Sequence, residues 1–150
     1  MKARVKWVEG ACFLGESTSG HAVVMDGPPE GGGRNLGLRP MEMLLLGLGG
    51  CSAYDVVSIL RKARQDVDDC YVEIEAERAD HVPRVFTRIH MHFVVSGRDL
   101  GEDKVRRAVR LSADTYCSAS IMLGKAARIR HDVEIVDTSP RRVSNRRDHP

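Results

Sequence analysis

The chain has 150 residues, of which 42% are hydrophobic and 29% charged, and its net charge is +2. A chain of this length fits one domain that buries roughly 70% of its unfolded surface. The small net charge and the lack of a signal-peptide core near the N-terminus argue against nucleic acid or a membrane as a partner, so we expect a cytoplasmic protein.

The N-terminal part is predicted to form short strands. Ala3, Val5 and Trp7 alternate with basic residues, and further strands are expected at residues 11–15 and 21–26. Turn-forming serine and glycine residues separate the last two, so the three strands should form a meander. The following segment, residues 27–37, is rich in proline and glycine and is predicted to be a loop without regular structure.

A long helix is predicted over residues 40–65. Pro40 suits the first helical position, and Glu42 lies in the first turn, where the helix dipole favours a negative charge. Apolar residues recur at helical spacing through the segment. Its apolar run ends at Ala53 and is shorter than the ~20 residues that cross a bilayer, so we expect no membrane span.

The remaining elements alternate between strands and helices. The pattern predicts two antiparallel strands with one wet face, two helices and a last strand, at residues 72–76, 85–95, 100–112, 118–126 and 129–135. A break near Tyr116 places Cys117 at or near a helix N-terminus. Residues 137–150 lack apolar periodicity and are predicted to be a disordered basic tail, which leaves one domain over residues 1–136.

Three glycines, Gly47, Gly49 and Gly50, directly precede Cys51 inside the long helix. Each costs the helix up to about 1 kcal/mol relative to alanine, and the usual compensation is the close approach of another backbone. In the simplest interpretation Cys51 is a small buried hydrophobic residue. A reactive thiol is the alternative, because a charged pair stands at the start of the same helix and a second cysteine at the start of another.

Two separated motifs carry a family resemblance. Pro40 and Glu42 are followed by Cys51 nine positions after the glutamate, and a second cysteine lies in the stretch ADTYCSAS. This arrangement resembles the OsmC/Ohr family of thiol peroxidases, most closely its YhfA-like OsmC branch, over about residues 5–136. The resemblance implies an α+β, OsmC-like fold with two small antiparallel sheets around two central helices. It also implies an intertwined homodimer with each active site at the subunit interface.

The resemblance further implies a reaction. Cys51 would be the peroxidatic cysteine that attacks an organic hydroperoxide, with hydrogen peroxide as a second candidate substrate. Cys117 would resolve the resulting sulfenic acid as a Cys51–Cys117 disulfide, which an external dithiol then reduces. No cofactor and no metal ion are implied.

The activating cation is where this sequence departs from the family. The family places an arginine against the thiolate and holds it with a glutamate, which Glu42 matches by its spacing to Cys51. Hydroperoxide resistance proteins take that arginine from the N-terminal meander, but VEGACFLGESTSGHAVVM contains none. Arg39 is the first candidate and Arg34 the second, although Arg39 could equally be an ordinary solvated residue near a helix end.

Other chemically capable residues receive weaker interpretations. His90 and His92 share a strand face but lack a third ligand, so a solvated face is favoured over a metal site. Cys12 and Cys70 have no motif context and are expected to be inert, and Asp55, one turn after Cys51, is assigned no role. The alternative function is a non-catalytic OsmC-fold dimer that binds a small ligand or responds to redox state.

Overall fold

The structure is a computed structural model that describes residues 1–140. The chain forms two compact units, Met1–Gly47 and Leu48–Pro150.

The first unit contains the predicted meander. Strands β1 (Ala3–Glu9), β2 (Cys12–Ser17) and β3 (Ala22–Met25) form an antiparallel sheet in the order β1-β2-β3. Alternating apolar and polar residues with short turns between them produce this sheet, as the sequence predicts. The apolar residues Val5 and Trp7 on β1 are nevertheless each 62% exposed, which leaves an apolar surface on this edge strand.

A buried carboxylate organises the loop after β3. Asp26 is 1% exposed, and its carboxylate accepts the backbone N–H groups of Gly27, Arg34 and Leu36 at 2.7 to 3.0 Å. These donors, that of Leu36 first, hold the pKa of Asp26 below its usual range. The segment contains one 3-10 turn, Pro29–Gly31, where the sequence predicts no regular structure.

Helix α1 runs over Pro40–Lys62, three residues shorter than predicted. The Glu42 carboxylate accepts the backbone N–H of Arg39 at 2.9 Å and so caps the start of the helix, as the glutamate of a capping box does. The helix ends before Arg64, which has a left-handed φ of 56°. By length and composition alone α1 could cross a membrane, and 28% of its apolar window is buried. Leu48 and Leu60 are fully buried.

The second unit holds a three-stranded sheet. Strands β4 (Asp66–Arg78), β5 (Phe86–Arg98) and β6 (Arg128–Asp137) lie in the order β4-β5-β6. Side chains on one face of β5 are buried and alternate with the more exposed His90 and His92, so the predicted wet face is confirmed. The buried residues of that strand face are Ile89, Met91, Phe93 and Val95.

The prediction that both sheets are antiparallel is wrong for one strand pair of this sheet. β4 and β5 are antiparallel, but β6 pairs with β5 in parallel, from Arg88 opposite Arg128 to Gly97 opposite Asp137. Parallel neighbours need a crossover connection of a dozen or more residues. The helices between β5 and β6 supply that connection, and the second sheet is therefore mixed.

The crossover consists of three helical pieces. Helix α2 (Glu102–Leu111) continues into a π-helical segment (Ser112–Tyr116), and helix α3 follows at Ser118–Leu123. The break predicted near Tyr116 is confirmed, and Cys117 is the N-cap residue of α3. The predicted basic tail lies mainly outside the described residues, and β6 ends at Asp137.

Candidate functional site

The second unit brings the two predicted redox cysteines together. Cys51 lies on α1 and Cys117 precedes α3, and their sulfur atoms lie within 4.8 Å of each other and of a carboxylate oxygen of Asp55. Cys51 and Asp55 are partly buried, whereas Cys117 is fully buried. All four cysteines have free thiols, so this cluster contains two reduced sulfurs close to one carboxylate.

Hydrogen bonds fix the Cys117 sulfur. The Ser52 hydroxyl donates to Cys117 Sγ at 3.1 Å, and the Ser120 backbone N–H donates at 3.4 Å. Burial, the largest effect, raises the pKa of the Cys117 thiol; the two hydrogen bonds lower it, and the neighbouring Cys51 raises it again. Cys117 is therefore held as a protonated thiol at neutral pH.

A second serine connects the cysteine cluster to the π-helical segment. Ser112 is fully buried, and its hydroxyl donates to the Ser52 carbonyl oxygen at 3.2 Å and lies 3.5 Å from Asp55 Oδ2. The widened π turn carries this hydroxyl at the junction of α2 and α3; such π segments occur frequently at functional sites. Ser52, Asp55 and Ser112 are thus site residues to which the sequence assigned no role.

Arg39 and Glu42, the other predicted site residues, belong to the first unit. The Arg39 guanidinium donates to the carbonyl oxygens of Asp26 (3.3 Å) and Gly37 (3.2 Å) and to Asn35 Oδ1 (3.0 Å). The Glu42 carboxylate accepts the backbone N–H of Arg39. Arg39 is therefore an ordered residue that joins the loop to the start of α1.

The second candidate arginine and the outlying cysteine Cys70 have different surroundings. Arg34 forms an ion pair with Glu9, and both side chains are 61% exposed. Burial, with a smaller contribution from Asp69, raises the pKa of Cys70 to about 11. A cysteine with that pKa is almost entirely a thiol at neutral pH and is a weak nucleophile.

The two histidines of β5 are paired with carboxylates of β6. His90 Nε2 lies 3.2 Å and His92 Nδ1 2.9 Å from Asp132 Oδ1, and His92 Nε2 lies 3.6 Å from Glu134. The hydrogen bond to Asp132, the largest effect, raises the pKa of His92. Both imidazoles therefore have a carboxylate partner on the neighbouring strand, on the outer face of the sheet.

Comparison with known proteins identifies the family. The family model for OsmC-like proteins matches residues 31–132. The chain is 56% identical over 139 residues to Protein YhfA of Escherichia coli K12, which covers 91% of this chain and 98% of YhfA. The solved structure of a hypothetical protein from Aquifex aeolicus is 28% identical, with a TM-score of 0.81 over 92% of this chain and 97% of that one.

A more distant structure shares the fold. An organic hydroperoxide resistance protein OsmC from Legionella pneumophila is 16% identical and superposes with a TM-score of 0.69 over 89% of this chain and 95% of its own. The fold, the family model and the YhfA relative agree with the resemblance carried by the Pro40, Glu42, Cys51 and Cys117 motifs. The chain therefore belongs to the OsmC-like protein family.

Proposed function

We propose that the protein is a cysteine-based peroxidase that reduces organic hydroperoxides, with hydrogen peroxide as a smaller substrate of the same site. The observation that carries the proposal is the pairing of the Cys51 and Cys117 sulfurs in one cluster. A shared fold with a Legionella protein named for organic hydroperoxide resistance adds support.

The two cysteines divide the reaction between them. The Cys51 thiolate attacks the O–O bond, which gives a Cys51 sulfenic acid and, after protonation, an alcohol. The Cys117 sulfur then attacks the sulfenic acid, and the Cys51–Cys117 disulfide forms with loss of water. An external dithiol of the cytoplasm restores both thiols and is itself oxidised to a disulfide.

Burial supports this assignment of roles. Cys51 is partly exposed and so can meet a peroxide from solvent, whereas Cys117 is fully buried. Its raised pKa keeps Cys117 protonated and poor as the first nucleophile. It is nevertheless close enough to the Cys51 sulfur to trap the sulfenic acid once that has formed.

The first experiment is the reaction of the reduced protein with one equivalent of cumene hydroperoxide. We expect both thiols of the pair to be consumed and a Cys51–Cys117 bridge to appear in a peptide map by mass spectrometry, because their sulfurs are neighbours. Cys12 and Cys70 should remain free. If no bridge forms while the hydroperoxide is left intact, the peroxidase proposal is wrong.

Arg39 is the proposed activating cation, and Glu42 holds its backbone at the start of α1. A cation beside a cysteine favours the thiolate, which is the form that attacks the peroxide. We expect Arg39→Ala to slow the first step about tenfold, the equivalent of about 1.4 kcal/mol, and Glu42→Gln to slow it less. Stopped-flow measurement of sulfenic acid formation tests this.

Arg34→Ala is the matched control for Arg39→Ala, because Arg34 is the second candidate and lies exposed beside Glu9. Its rate should equal that of the wild-type protein. An unchanged rate in Arg39→Ala, or a slow rate in Arg34→Ala alone, contradicts the assignment of the cation to Arg39.

A homodimer is the proposed assembly, as the family resemblance implies. Apolar side chains that a lone chain leaves exposed support it, among them Val5 and Trp7 at 62% and Tyr54 at 76%. Large exposed apolar side chains of this kind are typical of protein interfaces. The dimer would cover both the edge strand β1 and the outer face of α1.

One observation favours the non-catalytic alternative. The Arg39 guanidinium is engaged by three oxygens of its own loop, and a ligand-binding or redox-responsive dimer would need no arginine at the thiol. Iodoacetamide separates the two functions, because a reactive Cys51 thiolate is alkylated rapidly near neutral pH and a merely buried thiol is not.

A further inference from the structure

We propose that Cys51, Asp55 and Cys117 bind one zinc ion in the reduced protein. Their two sulfurs and one carboxylate oxygen all lie within 4.8 Å of one another. In a tetrahedral site with Zn–S bonds of about 2.3 Å, the sulfurs stand roughly 3.8 Å apart. The two sulfur atoms therefore need to approach each other by about 1 Å or less to bind the same zinc ion.

The Asp55 carboxylate is the feature that points to a cation. One of its oxygens lies within 4.8 Å of both sulfurs, which places three possible donor atoms around one point. A divalent cation bound there would stabilise the carboxylate and two thiolates together. Binding would release the two thiol protons to solvent and leave one net negative charge on three ligands and the ion.

Hydrogen bonds already orient the proposed ligands. Cys117 Sγ accepts from the Ser52 hydroxyl and the Ser120 backbone N–H, and the Ser112 hydroxyl lies 3.5 Å from Asp55 Oδ2. Partners of this kind hold metal ligands in place, and their loss typically weakens binding 10- to 100-fold. The network thus supplies the outer contacts that a zinc site requires.

The donor set selects the type of metal. Two thiolates favour thiophilic ions over Mg²⁺ or Ca²⁺, and with one carboxylate they suit Zn²⁺. Three protein ligands leave the fourth position for water, as in catalytic zinc sites. Cys51 and Asp55 are partly exposed, so an ion can enter from that side.

Zinc binding does not rest on the proposed peroxidase function, since it needs the thiols and the carboxylate but no turnover. A bound zinc ion would block the reaction of both sulfurs with a hydroperoxide. Zinc should therefore inhibit the oxidation of the reduced protein if both proposals hold. The two proposals can fail separately: a protein that binds zinc but leaves hydroperoxide intact contradicts only the peroxidase.

The test is a Zn²⁺ titration of the untagged, reduced, metal-stripped full chain by competition with a chromophoric chelator. We expect one ion per chain, at least tenfold weaker binding in Asp55→Asn, and loss of this site in Cys51→Ser and Cys117→Ser. The matched controls are Asp103→Asn, an exposed aspartate on α2, and Cys70→Ser, and both should bind as the wild-type protein does.

Co²⁺ gives a second readout, because sulfur-to-cobalt charge transfer appears only when thiolates are ligands. The absorption should be present in the wild-type protein and absent in both variants of the cysteine pair. Equal Zn²⁺ affinity in Asp55→Asn and wild type, or an unchanged site in Cys51→Ser, overturns the proposal. Asp55→Asn is nearly isosteric, so it remains informative if a cysteine variant fails to fold.

Discussion

Cys51→Ser is expected to abolish hydroperoxide reduction, with consumption of cumene hydroperoxide falling to the rate without protein. The first step requires a thiolate, and a serine hydroxyl is not ionised near neutral pH. Cys117 cannot replace it, because it is fully buried and its pKa is raised. The measurement is hydroperoxide consumption in the presence of an external dithiol, with thermal unfolding to show that the variant is folded.

The other cysteines provide matched controls for that result. Cys12→Ser and Cys70→Ser should retain full activity, since neither thiol lies in the cluster. Cys117→Ser should react once and stop at the sulfenic acid of Cys51, which then over-oxidises to the sulfinic acid. Full activity in Cys51→Ser would show that the attacking group lies elsewhere and would leave the non-catalytic alternative as the better proposal.

Most of the local structure could be predicted from the sequence because it depends on local patterns. Alternation in Ala3, Val5 and Trp7 predicts β1, and Pro40 with Glu42 marks the start of α1. The direction of β6 depends instead on a pairing with residues some 40 positions earlier. No local pattern encodes it, although the long helical crossover before β6 is the signal that would have indicated a parallel strand.

The candidate site likewise combines residues that the sequence indicates with contacts that it does not. The resemblance identified Cys51 and Cys117, and the break near Tyr116 located Cys117 at a helix start. Asp55 follows Cys51 by four residues and so shares its side of α1, a relation that the sequence contains. Ser112 continues the apolar spacing of α2 and so falls on the buried side of that helix, but no local pattern encodes its contact with Ser52, 60 positions earlier.

The glycines of α1 have two different surroundings. A Cβ atom at Gly49 would lie 2.8 Å from Ile74 Cδ1, so the packing of α1 against β4 explains this glycine. At Gly50, by contrast, no atom of the described residues beyond its own turn of α1 comes within 4 Å of the corresponding Cβ. Gly50 is exposed, as is its neighbour Tyr54 one turn later. A partner chain packed closely against α1 would explain a glycine at this position, as the proposed homodimer requires.

Gly50→Leu is therefore expected to weaken a homodimer while favouring the helix itself. Leucine stabilises an exposed helical position by about 0.8 kcal/mol relative to glycine, so a monomer should become more stable. In an interface where this glycine allows close packing, the added side chain costs about 1 to 3 kcal/mol, which raises the dissociation constant about 5- to 150-fold. Sedimentation equilibrium measures this constant, with Gly50→Ala as the control that gains helix propensity but adds little volume. A stable wild-type monomer at micromolar concentration, or a Leu variant that associates as tightly as wild type, would rule out a dimer contact at this face of α1.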